Sequence, residues 1–193
     1  MKAITDTKAP ERAWLKTYYY LRFAVSAIWV ALAFTVAKSA PPLAAVMLVA
    51  YPAWDALANY IDASRSGGLA RNRSQMLNFL VSVVTAVAVA GSLPHGMHAV
   101  LQIFGVWAVL SGLFQLLTGV RRWKSYGAQW AMILSGAQSG LAGTHMLSKA
   151  AGATPVSIAD IAPYAAFGAF YFFISAVSLT ISDARRRSKA VPA

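Results

Sequence analysis

Residues 100–143 read VLQIFGVWAVLSGLFQLLTGVRRWKSYGAQWAMILSGAQSGLAG, and the fold turns on how this stretch divides. An apolar run ends at Gly119, a knot of Arg121, Arg122, Trp123 and Lys124 follows, and a second apolar run carries Gly136, Gly140 and Gly143. About 20 apolar residues in a helix cross the roughly 30 Å of hydrocarbon in a bilayer. Cations between two such runs belong in water, on the face where Lys and Arg are retained. The stretch therefore reads as a helix, an exposed basic turn and a returning helix.

The rest of the chain follows the same plan. Of its 193 residues 58% are hydrophobic and 12% charged, with a mean hydropathy of +0.54. That is about half the charge of an ordinary soluble domain, roughly 25%, and too much apolar surface for a soluble core of this size to hide. The net charge of +11 would suggest nucleic acid in a soluble protein. Here the basic residues mark loops on one side of a membrane, and no nucleic-acid partner is expected. The absence of cysteine excludes disulfides, thiol catalysis and Cys-ligated metals.

The expected fold is all-α: a polytopic bundle with six transmembrane helices in a single integral membrane domain, 1–193, packed as three tandem two-helix repeats. The spans fall at about 19–37, 43–61, 76–93, 99–120, 128–147 and 159–181. A short surface helix begins near Pro10 and leads into the first span, which is too long for a signal-peptide core and is read as retained. With the N-terminus inside, fifteen of the seventeen Lys and Arg residues lie on one side, leaving only Lys38 and Lys149 on the other. Short loops obey this positive-inside bias well. Both termini are therefore expected in the cytoplasm and the protein in a bacterial inner membrane. Small residues at helical spacing, Ser82-Ala86-Ala90 and Gly136-x-x-x-Gly140 with Gly143, predict close helix packing and suit a homo-oligomer.

Asp55, Asn59 and Asp62 lie at steps of four and three on one face of the second span, below Pro52. An acid about two turns into the membrane is costly and takes a partner. The expected cluster is Asp55 with Asn59, and Arg22 of the first span as counter-ion. Its bland role is a clasp between helices, the commoner use of such groups; its functional role would be a proton or cation step. His95, His98 and His145 fall on the outer side, where a group with an ordinary pKa of ~6.5 would respond to an acidic periplasm. Two histidines in one turn make a poor metal site, so no metal is expected. Arg121, Arg122, Lys124, Arg185, Arg186 and Arg187 suit anionic lipid headgroups, although setting topology alone explains them. No phosphate loop, hydrolytic carboxylate pair, His-Glu zinc motif or nucleophile elbow occurs. Neither a catalytic residue nor a cofactor is expected, and the protein reads as no enzyme.

Spans two, four and six look like copies of one helix. Gly105, Gly112 and Gly119 shifted by 64 fall on Ala169, Ala176 and Asp183; shifted back by 56 they fall on Val49, Ala56 and Ala63. The same registers superpose Asp55, Ser111 and Ser175, and Asn59, Gln115 and Leu179. The run Gly105-Val-Trp-Ala-Val-Leu-Ser-Gly-Leu-Phe-Gln-Leu-Leu-Thr-Gly, the following Arg121-Arg-Trp and the Ile133-Leu-Ser-Gly region resemble the repeat of the HdeD / DUF308 membrane proteins, best over residues 50–142. That resemblance implies a six-span bacterial inner-membrane protein linked to acid or envelope stress, with no agreed molecular activity and no catalytic residues to carry over. Asp55 departs from the pattern, standing where the central copy has Ser111. The expected function is thus a small non-enzymatic protein of HdeD-like type. The alternatives are a proton or small-solute transporter or channel using Asp55, and a membrane anchor for a larger complex.

Overall fold

The computed structural model describes residues 8–122 and 129–190. Among them are six long helices: α1 (Lys8–Phe34), α2 (Pro41–Arg65), α3 (Arg73–Ser92), α4 (Met97–Arg122), α5 (Gln129–Ala151) and α6 (Ala162–Ala190). Short 3-10 turns at Ala37–Ser39, Leu69–Arg71, Leu93–His95 and Ile158–Asp160 punctuate the connections. Five segments are long and apolar enough to cross a membrane: Ala13–Phe34, Pro41–Arg65, Arg73–His95, Met97–Leu117 and Ala162–Arg186. The protein is a helical membrane bundle. Helix α5 is 23 residues long but is not among the five. Ser135, Gln138, Ser139, Thr144 and His145 dilute its apolar residues.

Among the described residues no separate surface helix precedes the first span; α1 runs unbroken from Lys8 to Phe34. Beyond Pro10, in its first turn, no Pro or Gly interrupts it. The chain divides into two compact units, residues 31–164 and residues 1–30 with 165–193.

In the first of these units, α2 packs with α3 and α4 with α5. The bonded pairs Asp62–Gln75 and Asp55–Ser82 descend one helix as they climb the other, so α2 and α3 are antiparallel. Their connection is a shaped turn. Gly67 and Gly68 have φ of +96° and +89°, a region that side chains disfavour, and the Gly68 N–H closes α2 on the Ala63 carbonyl at 2.7 Å. Asn72 then donates to the Ser66 and Gly68 carbonyls at 2.8 and 2.9 Å. The buried stripe of α3 is Ser82, Thr85, Val89 and Ser92, whereas Ala86 is half-buried and Ala90 exposed. This corrects the expected Ser82-Ala86-Ala90 face: steps of four advance 400° and drift around the helix, while alternating three and four holds one side.

The α4–α5 hairpin is closer. A Cβ built on Gly112 would lie 2.5 Å from the Gly136 carbonyl oxygen, and one on Gly136 would lie 2.8 Å from that of Gly112. A turn and more away, Gly143 and Gly105 stand in the same reciprocal relation at 2.6 and 3.0 Å. The backbones touch along a seven-residue rhythm, as small-residue seams permit. Gly140 differs, since the space its own Cβ would enter is open.

In the second unit, α1 and α6 are bound to each other. Tyr19 stacks on Phe172 and Phe23 tilts against Phe173, with ring centroids 6.3 and 4.9 Å apart. Tyr20 and Thr180 share a hydroxyl–hydroxyl bond of 3.2 Å, and Lys16 pairs with Asp183 at 3.4 Å. Two of the three helix pairs are thus tandem hairpins beginning at α2, and the third joins the first and last of the described long helices.

Candidate functional site

The polar face of α2 meets α3 and α4 at Asp55. The Asn59 amide donates to Asp55 Oδ2 at 3.0 Å and to the Asp55 carbonyl at 2.8 Å. From α3, the Ser82 hydroxyl donates to the same Oδ2 at 2.7 Å. From α4, the Trp107 indole N–H donates to Ser82 Oγ at 3.3 Å. An indole N–H can only donate. Ser82 therefore accepts from Trp107 and turns its own proton to Asp55, so this chain of bonds runs one way, toward the carboxylate. Such a polarised network strengthens each link in a low-dielectric setting.

Local sequence explains the placement. Asn59 lies one helical turn beyond Asp55, within reach of both its carboxylate and its carbonyl. Pro52, buried one turn earlier, has no N–H to give Leu48's carbonyl. Ser82 is 1% exposed and Trp107 4%, whereas Asp55 itself is only partly buried. Trp107 is walled edge-on by Tyr51, Phe104 and Tyr164, with centroids 6.0, 5.7 and 5.9 Å away. The site is a carboxylate fed by neutral donors from three helices and closed at one end by packed aromatic rings.

Asp55 and Asn59 are therefore together, as their spacing predicts. Sequence reading missed Ser82 as a donor, having taken it as a packing residue, and missed Trp107 altogether. The legible signal was that Ser82 and Trp107 are a hydroxyl and an indole donor within apolar runs, groups that seek partners when buried. Arg22 belongs to the other unit. There its guanidinium donates to Tyr18 Oη at 3.2 Å and lies 4.2 Å from the centre of the Phe172 ring.

The histidines are dispersed. His95 and His145 are exposed, and His98, half-buried, places Nε2 3.1 Å from the Thr154 carbonyl. Among the described residues no three His, Asp or Glu side chains gather at metal-binding distance. Of the basic groups, Arg121 and Arg122 close α4, Arg187 lies in α6, and Lys124 lies outside the described residues. Arg185 and Arg186 are exposed on α6.

A second ionic feature ties α5 to the start of α6. Lys149 pairs with Asp160, and the Ser157 N–H donates to the same carboxylate at 2.6 Å while Ser157 Oγ accepts from the Ala159 N–H, a capping box. Burial pushes the Asp160 carboxyl upward, but the Lys149 ammonium and the Ser157 bonds outweigh it and hold it below the ordinary value.

Residues 80–148 match the family model described as a short repeat of unknown function, DUF308. The match covers the second half of α3, all of α4 and most of α5, including both reciprocal glycine pairs. No curated protein and no solved structure matches the chain.

Proposed function

We propose that this DUF308-repeat protein is a non-enzymatic inner-membrane protein of the HdeD-like kind, serving the cell envelope under acid or related stress. Both termini face the cytoplasm in this reading, α5 crosses alongside α4, and Asp55 works as a clasp. One observation carries it: the matched repeat is built around a seam where backbone meets backbone, a packing element with no room for a substrate. The polar cluster beside it is also turned inward, with Ser82 spent on Asp55 and Trp107 spent on Ser82. Self-association belongs to the outer face of α3, where Val84, Val87, Ala90 and Gly91 are exposed, because the α5 glycines facing α4 are used within the chain. The test is survival of bacterial cells with and without this chain after a shift to low pH. Reporter fusions at the α2–α3 turn and the C-terminus are scored in parallel. Equal survival removes the stress role, and a periplasmic C-terminus removes the six-span topology.

The partial exposure of Asp55 favours a second reading, a proton or small-solute pathway. Proteoliposomes holding the purified protein would then leak protons or solute, and Asp55→Asn would abolish the leak. Absence of flux leaves the clasp. The anchor alternative predicts a protein partner that co-purifies in stoichiometric amount.

A further inference from the structure

One face of α6 is a shallow groove that neither the Asp55 cluster nor the helix pairing uses. It is lined by Ile174, Val177, Ser178, Ile181, Ser182, Arg185 and Arg186. The steps between these positions alternate three and one, so they form one continuous stripe along the helix. Ile174 and Ile181 are 47% exposed, and Ser178, Arg185 and Arg186 are exposed as well. The two serines are shorter than their isoleucine neighbours and open a channel between them.

We infer that this groove is a binding site for one anionic phospholipid, with its phosphate on Arg185 and Arg186 and an acyl chain lying along Ser178 between Ile174 and Ile181. Dimensions support the assignment. Twelve residues separate Ile174 from Arg186, about 18 Å of helix at 1.5 Å per residue. Half the hydrocarbon core is roughly 15 Å, so a headgroup at the arginines puts its chain beside the serines and isoleucines. Charge supports it too. Asp183, the acid nearest the arginines in sequence, pairs with Lys16 of α1, and the two exposed guanidiniums keep this end of the groove cationic. A guanidinium pair offers fixed donor forks that match phosphate oxygens, whereas zwitterionic lipid carries a cancelling charge. The inference needs α6 to lie in a membrane and does not depend on which side its C-terminal end faces.

The experiment is native mass spectrometry of the full chain in detergent, titrated with phosphatidylglycerol, phosphatidylcholine or glycerol phosphate. The wild type should retain one phosphatidylglycerol in preference to phosphatidylcholine. Each basic residue near an anionic headgroup is worth a factor of about five, so Arg185→Gln with Arg186→Gln should weaken retention roughly thirtyfold. Ser178→Leu keeps every charge but fills the channel, and it should lose the bound lipid while leaving helical content unchanged. Three results would overturn the inference. These are equal retention of the two lipids, undiminished binding by Ser178→Leu, or displacement by glycerol phosphate at the concentration at which phosphatidylglycerol binds.

Discussion

The two tandem hairpins solve one packing problem by different means. In α4–α5 the helices meet through glycine, with no side chain between Gly112 and Gly136 or between Gly105 and Gly143. In α2–α3 the corresponding surface is built from Ala56, Ala63, Ser82, Thr85 and Val89, and a carboxylate bond bridges the wider gap. The registers that superpose Asp55 on Ser111 and Asn59 on Gln115 make this a comparison of like positions. Gln115 in turn accepts a bond from Ser135 on α5 at 3.2 Å, so each hairpin has a cross-helix polar link, one helical turn apart in this register. The lesson is a division of labour. Where backbones touch, dispersion and close approach hold the pair and the polar link is secondary. Where they stand apart, the polar link carries more of the load and can afford an ionisable group.

Substitutions should expose this difference. The largest effect belongs to Gly112→Ala, whose methyl would strike the Gly136 carbonyl and the Gly140 amide at 2.5 and 2.6 Å, both backbone. Overpacking that only a backbone shift can relieve should cost roughly 3 kcal/mol, read as a lowered unfolding midpoint in detergent. Next comes Ser82→Ala, which strips a donor from Asp55 and the acceptor from Trp107. A loss of about 2 kcal/mol is expected, and the cycle with Trp107→Phe should be non-additive by at least ~0.5 kcal/mol. If Ser82→Ala proves neutral, the α2–α3 hairpin is not held by its carboxylate. Ser135→Ala, the matched change in the glycine hairpin, should cost only about 0.6 kcal/mol.

At the open end of α5, Asp160→Asn should cost ~0.5 kcal/mol, since the Lys149–Asp160 pair is partly hydrated. Its pH dependence has a definite sign. The folded carboxyl lies below its unfolded value. The pair's contribution is therefore whole above about pH 4 and disappears as pH falls through the folded value. Stability measured between pH 5 and pH 2 should fall more for the wild type than for Asp160→Asn. The smallest effect is at Gly140→Ala, where a methyl meets nothing within 4 Å. Helix propensity then favours alanine by up to ~1 kcal/mol, so the midpoint should hold or rise.

Much of this was legible in the residues alone. Runs of apolar residues and the placement of cations located the six long helices of the described residues, but α1 begins at Lys8 rather than near 19 and α6 runs to Ala190 rather than 181, because polar and basic turns continue both helices past their apolar parts. The spacing of Asp55 and Asn59 put them on one face, and the glycines at 105, 112, 136 and 143 announced a close seam. What spacing could not give was partnership across helices. Nothing local to Ser82 says that its hydroxyl reaches α2, and nothing local to Trp107 says that its N–H ends on Ser82. The stripe at Ser82, Ala86 and Ala90 misled because smallness was taken for burial. Gly140 shows the same limit from the other side, belonging to the motif yet pointing its Cβ position into open space. The similarity to the DUF308 repeat, which the family model places at residues 80–148, was legible because that repeat is written in glycine spacing, the feature that survives in a single sequence.

The pairing of α1 with α6 carries a consequence for biosynthesis. Helix α1 emerges from the ribosome before α2 to α5, and its partner α6 emerges after them. While the four helices between them are made, Tyr20 and Lys16 lack the Thr180 and Asp183 that later satisfy them. The nascent chain must carry an unfinished helix in the bilayer until α6 has been made, and truncation before residue 165 would leave that helix permanently without its mate.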